Sequence, residues 1–138
     1  MNEISSVIGQ RRRLLLGLVC AGVAGCIFGI RSARAHAALL RSDPPRRAVL
    51  TQSPSQIRLW FSETIEAEYS LVSVVDADGQ VVSTARAVGS PTDAKLLILE
   101  LPVLKPGQYM VRYRVNSIDG HILDAGYQFT LKAAPGNE

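Results

Sequence analysis

Two histidines and one aspartate give this sequence its clearest capacity for chemistry. His36 and His121 are the only histidines in the 138-residue chain, and Asp119 stands two positions before His121 with Gly120 between them. Residues i and i+2 of an extended segment project to the same side, and a glycine between them lets the backbone bend without a side-chain clash. A carboxylate and an imidazole placed in this way could bind one metal ion together.

His36 directly follows Ala-Arg-Ala (residues 33–35), which has small residues at the −3 and −1 positions of a signal-peptidase site. Cleavage after Ala35 would make His36 the N-terminal residue, so that it offers both an amine and an imidazole. With Asp119 and His121 this predicts three nitrogens and one oxygen in a rough square, a donor set that suits Cu(II). The alternatives are that His36 follows the cleavage site by accident, and that Asp119 only caps backbone amides in a turn.

The first 35 residues are predicted to be a signal peptide, and residues 36–138 the mature domain. Arg11–Arg13 form a basic start, and an uncharged apolar run follows from Leu14 to Ile30. The pattern predicts export to the periplasm, by the general or the twin-arginine route. One alternative is a retained single-span anchor. Another is lipoprotein processing at Cys26, which would leave the chain lipid-anchored and His36 internal.

Charge and cysteine content narrow the possible functions of the mature domain. Five of the 15 basic residues and one of the 12 acidic residues lie in residues 1–35. The mature domain therefore has ten basic and eleven acidic residues, a formal net charge of −1. No basic stripe with interleaved aromatic residues remains, so we expect no nucleic-acid partner. Both cysteines, Cys20 and Cys26, also lie in the signal. The mature domain therefore has no disulfide and no thiolate ligand.

Alternation with a period of two runs through most of the mature sequence and predicts an all-β protein. About seven short strands separated by turn signals indicate an immunoglobulin-like Greek-key β-sandwich. The predicted strands are near residues 37–41, 57–61, 70–76, 80–86, 94–101, 109–115 and 127–131, with Asp78-Gly79 as the turn between the third and the fourth. The segment 62–69 is predicted to be an acidic connection, with one helical turn as the alternative.

The turn Leu104-Lys105-Pro106-Gly107 followed by Tyr109 is typical of the corner that enters the sixth strand of an immunoglobulin-like fold. In that corner a tyrosine hydroxyl bonds back to the backbone of the turn. The alternative is a simple Pro-Gly turn with Tyr109 in the core. Either interpretation places a corner at this position.

Three blocks of the mature sequence resemble the CopC family of bacterial copper-binding proteins. They are H-A-A-L at 36–39, I-R-L-W-F-S-E at 57–63 and L-K-P-G-Q-Y-M-V-R-Y-R-V-N-S-I-D-G-H at 104–121. The resemblance implies a seven-stranded sandwich that binds one Cu(II) per chain in the periplasm and is not an enzyme. It implies that the amine and imidazole of His36, with Asp119 and His121, ligate the ion. It also implies that Glu63 lies beside the copper and interacts with the terminal amine, the alternative being a solvated acid at the end of a strand.

The sequence departs from the family where some members carry a methionine-rich loop that binds Cu(I). The corresponding residues 74–85 contain neither Met nor His, and Met110 is the only methionine after residue 35. We therefore expect no dedicated Cu(I) site. The resemblance further implies a role in copper homeostasis, resistance or delivery to a CopD-type membrane transporter. We expect the domain to be a monomer.

Two other functions fit parts of the same evidence. A copper-dependent oxidative enzyme could also use an N-terminal histidine, although a bound Asp119 would fill the position that oxygen chemistry needs. The other function is that of a metal-free immunoglobulin-like interaction module, which needs neither histidine.

Overall fold

The computed structural model describes residues 37–133, and these belong to one compact unit built almost wholly from β-strands. The strands are β1 (Leu39–Asp43), β2 (Val49–Leu50), β3 (Gln56–Phe61), β4 (Leu71–Val75), β5 (Val88–Gly89), β6 (Leu96–Glu100), β7 (Gly107–Asn116) and β8 (Ile122–Leu131). The only helical element among the described residues is a 3-10 turn at Ala67–Tyr69. No helix between residues 37 and 133 is long and apolar enough to span a membrane.

The strands form two four-stranded sheets. The first sheet has the order β1-β3-β6-β5, and the second has the order β2-β8-β7-β4. All hydrogen-bonded neighbours are antiparallel except β2 and β8, which are parallel. Because successive strands repeatedly change sheet, the chain wraps a sandwich, and the predicted all-β class is confirmed. There are eight strands rather than about seven, since β2 and β5 have two residues each.

The predicted alternation builds the core between the two sheets. On β3, Ile57, Leu59 and Phe61 point inward and are at most 1% exposed. Along β7 the inward residues begin with Tyr109 and end with Val115, and the ring of Tyr113 meets that of Phe61 edge-on with 5.8 Å between centroids. Burying each large apolar side chain contributes roughly 2 kcal/mol. The core, with no disulfide among the described residues, therefore holds the sheets together.

The predicted tyrosine corner is confirmed. The hydroxyl of Tyr109 donates a hydrogen bond to the carbonyl of Lys105, at 2.6 Å between the oxygens. Nearby, the amide of Leu104 donates to the Ser53 hydroxyl at 2.8 Å, which ties the corner to the loop before β3. These bonds fix the direction in which β7 enters the second sheet.

The predicted strand at residues 80–86 is wrong. Asp78-Gly79 does form a turn, in which the Asp76 carboxylate accepts from the amides of Asp78 and Gln80. Beyond a single bridge between Val75 and Val81, however, no strand follows. The Ser83 hydroxyl accepts from the amide of Val74 at 3.1 Å, so a side chain occupies the place that the backbone of a strand would take. The chain then crosses to the first sheet, where β5 pairs with β6.

The structure also gives more exact bounds for two other predicted segments, residues 62–69 and β6. The segment connects β3 to β4 as predicted, and it includes the short 3-10 turn that was the alternative. β6 is shorter than the predicted strand at 94–101, and its Ile98 is only half-buried.

The β7–β8 hairpin keeps one unbroken register from the pair Gly107–Leu131 to the pair Asn116–Ile122. Gly126 lies opposite Arg112 in this ladder. A Cβ atom added at Gly126 would stand 2.6 Å from the carbonyl oxygen of Val111, a contact with backbone that cannot move without disturbing the ladder. The hairpin therefore needs a glycine at this position for space.

We predict that Gly126→Ala lowers the free energy of unfolding by about 1–3 kcal/mol, because the added methyl group overpacks the hairpin. Gly107→Ala is the matched control, since a Cβ there would meet no atom closer than 3.9 Å. It should change stability by less than about 0.5 kcal/mol. Urea denaturation followed by circular dichroism measures both, and equal effects would contradict the steric argument.

Tyr127 carries a hydroxyl that the fold buries without a hydrogen bond. The residue is 5% exposed, and its oxygen has no partner among the described residues. Burial raises the pKa of Tyr127 to about 12. Ser42 is near enough to offset part of that rise, but the two hydroxyls do not reach hydrogen-bond geometry. The folded domain therefore favours the neutral phenol.

A pH dependence follows from that shift. An unfolded tyrosine ionises near pH 10, whereas the folded Tyr127 keeps its proton up to about pH 12, so its contribution is complete below pH 10 and is lost between the two values. Tyr127→Phe should therefore resist alkaline denaturation, by roughly 2 kcal/mol at pH 12 relative to the wild type. At pH 7 it should be as stable as the wild type or up to about 1 kcal/mol more stable.

Denaturation by urea between pH 8 and 12 tests this prediction. Tyr69→Phe is the control, because the Tyr69 side chain is exposed. If the free energy of unfolding falls equally with pH in the wild type and in Tyr127→Phe, the buried hydroxyl does not cause the loss of stability at alkaline pH.

Candidate metal centre

The loop between β7 and β8 holds Asp119 and His121 at one end of the sandwich. The amide of Ser117 donates to the carbonyl of His121 at 2.9 Å, and the amide of Gly120 donates to the carbonyl of Ser117 at 2.8 Å. Gly120 has φ +84°, a backbone conformation that residues other than glycine rarely adopt. The loop is thus a tight turn rather than the extended segment that the spacing suggested, and the predicted role of Gly120 in the bend is confirmed.

The turn brings the two predicted side chains into direct contact. The Oδ2 of Asp119 lies 2.8 Å from the Nδ1 of His121, and the side chains are 35% and 50% exposed. This separation is that of a direct hydrogen bond between the carboxylate and the imidazole. Carboxylate oxygen and imidazole nitrogen are both donors that divalent transition metals accept, and the pair is accessible to solvent, so the chemistry of these residues fits a metal ion.

The buried Ser117 forms a hydrogen bond with the Asp119 carboxylate and lowers its pKa. Ser117 has no exposed surface, and its hydroxyl donates to the Oδ1 of Asp119. This bond, with smaller contributions from His121, holds the pKa of Asp119 below its usual value, although desolvation opposes the shift. Asp119 is therefore ionised throughout the neutral range, as a metal ligand must be.

The segment that follows β3 runs alongside this loop. Ile65 forms a β-bridge with Ser117, and the amide of Ile118 donates to the carbonyl of Thr64 at 3.2 Å. Glu63 is the residue before Thr64 and is half-buried. The structure thus places the predicted acid Glu63 in the connection after β3, which borders the Asp119 loop.

The same segment holds the start of the described chain. The amide of Ala38 donates to the hydroxyl of Ser62 at 2.9 Å, and the amide of Ser62 donates to the carbonyl of Ala38 at 2.8 Å. Ala37 is 2% exposed and belongs to the core. The beginning of the described chain is therefore anchored one residue away from Glu63.

His36, together with the predicted cleavage site and signal peptide, lies outside the described residues. Within residues 37–133, no three side chains of His, Cys, Asp or Glu come together as a metal-binding group. Asp119 and His121 are thus a pair, and a complete site needs further donors from beyond this part of the chain or from solvent.

Sequence reasoning assigned no role to Ser117 or Ser62. Ser117 appeared only within the block at 104–121, and its bond to the Asp119 side chain depends on how the turn folds. Ser62 gave no signal, because its pairing with Ala38 depends on two segments distant in sequence.

The comparisons with known proteins agree with this architecture. The profile of the CopC domain matches residues 39–132. Protein YobA of Escherichia coli strain K12 is 36% identical over 99 residues, which cover 71% of this chain and 80% of YobA.

Two solved structures also match. CopC from Methylosinus trichosporium OB3b has a TM-score of 0.69 and 32% identity, covering 75% of this chain and 100% of that one. PcoC, a methionine-rich copper resistance protein from Escherichia coli, has a TM-score of 0.63 and 26% identity, covering 71% and 100%. Since the domain profile spans more than half of the sequence and continues through the Asp119–His121 loop, this chain belongs to the CopC family.

Proposed function

We propose that the protein binds one Cu(II) ion per chain in the periplasm, for copper homeostasis, resistance or delivery. The donors are the amine and imidazole of His36, exposed by cleavage after Ala35, with Asp119 and His121. The observation that carries the proposal is that the segment 62–65 is bonded to Ala38 on one side and to the Asp119 loop on the other. PcoC, which is described as a copper resistance protein, supports copper as the cargo.

The reach of the chain supports His36 as a donor. Consecutive Cα atoms are about 3.8 Å apart, so the Cα of His36 lies within about 7.6 Å of that of Ala38. Ala38 is itself fixed to Ser62, close to the bridge that joins Ile65 to Ser117. A terminal amine and imidazole on so short a tether can reach the Asp119 side of this segment.

The donor chemistry favours Cu(II) over Cu(I). Three nitrogens and one carboxylate oxygen form a set that suits tetragonal Cu(II), whereas Cu(I) prefers thiolates and thioethers. Met110 is the only methionine among the described residues, in contrast to the methionine-rich PcoC. We therefore propose no dedicated Cu(I) site. Glu63 is proposed to lie beside the ion and to interact with the positively charged or metal-bound amine of His36.

The proposed activity is binding and transfer rather than catalysis. The ionised carboxylate of Asp119 would occupy one of the four positions around the ion, which leaves no equatorial position open for oxygen. A CopD-type membrane transporter is the proposed recipient of the copper, and the domain is proposed to act as a monomer.

Substitution of the paired ligands tests the site. Asp119→Asn and His121→Ala should each lower Cu(II) affinity by more than roughly 100-fold, because residues that only support ligands are commonly worth about 10–100-fold. Asp124→Asn is the matched control, an exposed carboxylate on the same hairpin that pairs with Arg114 at 3.1 Å. Competition titration with a chelator measures the affinities, and a control variant that loses as much affinity as Asp119→Asn would contradict the assignment.

Intact-mass spectrometry of the exported protein tests the terminus. We expect a mass that begins at His36 and rises by one copper on addition of one equivalent of Cu(II). A mass that begins at an acylated Cys26 would remove the amine donor and contradict the proposed ligand set. His36→Ala, checked by mass for the same cleavage, should bind Cu(II) much more weakly because the chelate ring is lost.

A further inference from the structure

Ser117 is placed to control one oxygen of the Asp119 carboxylate. It lies at the end of β7, has no exposed surface and donates its hydroxyl proton to Oδ1 of Asp119. Its oxygen is also 3.1 Å from the carbonyl of His121, but that carbonyl already accepts from the Ser117 amide at 2.9 Å. Since a hydroxyl has a single proton and a carboxylate is the stronger acceptor, the bond to Asp119 dominates.

The two oxygens of Asp119 consequently have different surroundings. Oδ1 is held by Ser117, and it also lies 3.4 Å from the amide nitrogen of His121. Oδ2 instead faces the imidazole of His121, with 2.8 Å between it and Nδ1. Rotation of the carboxylate about its own axis would break the bond to Ser117. The side chain is therefore held in one orientation, with a single oxygen directed at the imidazole.

We propose that Ser117 is a positioning residue for the metal centre, which makes Asp119 bind the ion through Oδ2 alone and beside His121. This inference rests on the proposed Cu(II) site. The hydrogen bond at Oδ1 disfavours chelation of the ion by both oxygens, because chelation would turn the carboxylate away from Ser117. The fixed orientation also reduces the rotational freedom that the side chain loses on binding. Ser117 touches a ligand and not the ion, so it acts through Asp119.

Ser70 provides a matched control for the burial of Ser117. It too has no exposed surface, and its hydroxyl makes two hydrogen bonds: it donates to the carbonyl of Glu66 at 2.8 Å and accepts from the amide of Asn116 at 3.1 Å. Its recorded partners are these two backbone groups and not the Asp119 carboxylate. Ser70→Ala thus removes a similar buried hydroxyl from the same end of the sandwich without touching the ligand.

The test compares Ser117→Ala, Ser70→Ala and the wild type, each as the exported and processed chain. Both variants should lower the Tm by a similar few degrees, because each loses a buried hydroxyl. Ser117→Ala alone should lower Cu(II) affinity, by roughly 10–100-fold. It should also change the electron paramagnetic resonance spectrum of bound Cu(II), whereas Ser70→Ala should reproduce the wild-type spectrum and bind within about twofold. Ser117→Thr keeps the hydroxyl and should retain the wild-type spectrum.

A double-mutant cycle separates positioning from general support of the loop. If Ser117 acts through Asp119, adding Ser117→Ala to Asp119→Asn should cause little further loss of affinity. An equal loss in both backgrounds would overturn the proposal, as would a Ser117→Ala spectrum identical to the wild type. Failure of the wild type to bind Cu(II) would instead refute the proposed function, so the two outcomes are distinguishable.

A measurement on the wild type covers the case in which Ser117→Ala does not fold. The infrared difference spectrum between copper-loaded and copper-free protein reports how a carboxylate binds, and the band absent from Asp119→Asn belongs to Asp119. A wide separation of the symmetric and antisymmetric stretches indicates binding through one oxygen and supports the proposal. A narrow separation indicates binding through both oxygens and overturns it.

Discussion

The ladder between β7 and β8 is the constraint on which the rest of the structure depends. Its ten residue pairs keep one register from the tyrosine corner to the Asp119 loop. One face of both strands fills the core, so a slip of one residue would expose the apolar side chains and also rotate the loop. Gly126 lets β8 lie close to the carbonyl of Val111, which keeps the ladder regular near its centre. The position of the Asp119–His121 pair is therefore set by the same hydrogen bonds that hold the second sheet together.

The connection after β3 also helps to position the Asp119 loop, because it joins segments that are far apart in sequence. Ser62 bonds to Ala38, and three residues later Ile65 bridges to Ser117. The start of the domain and the loop near its end therefore meet on one short piece of backbone. A centre assembled in this way depends on the folded sandwich, since the unfolded chain would separate its proposed donors by more than 80 residues. Copper binding should accordingly stabilise the native state by mass action.

The sequence predicted those parts of the fold that depend on periodicity and local turn chemistry. The alternation of β3 and β7 and the Lys105–Tyr109 corner were visible because each repeats a pattern within a few residues. The segment after Gly79 has the composition of a strand, but the Ser83 hydroxyl takes the place of a backbone carbonyl as the acceptor for the Val74 amide. The periodicity of the sequence cannot predict this replacement. In the site, the spacing of Asp119 and His121 predicted that the two side chains lie on one side of the chain, but a tight turn rather than an extended segment brings them together. The orientation of the carboxylate could not be predicted, because it depends on how a buried Ser117 meets a tight turn.

The burial of Ala37 and the pairing of Ala38 with Ser62 have a consequence for ligand exchange. The Cα of a residue two positions before Ala38 stays within about 7.6 Å of the Ala38 Cα, so a donor group on that residue would act at an effective concentration on the order of mM or above. If the proposed terminal donors left the ion while Asp119 and His121 stayed bound, they would usually return before the ion escaped. A competing protein can shift that balance by capturing the ion during such an opening. Donors anchored in this way would retain copper on dilution. They would release it when a competing protein replaced the ligands one at a time.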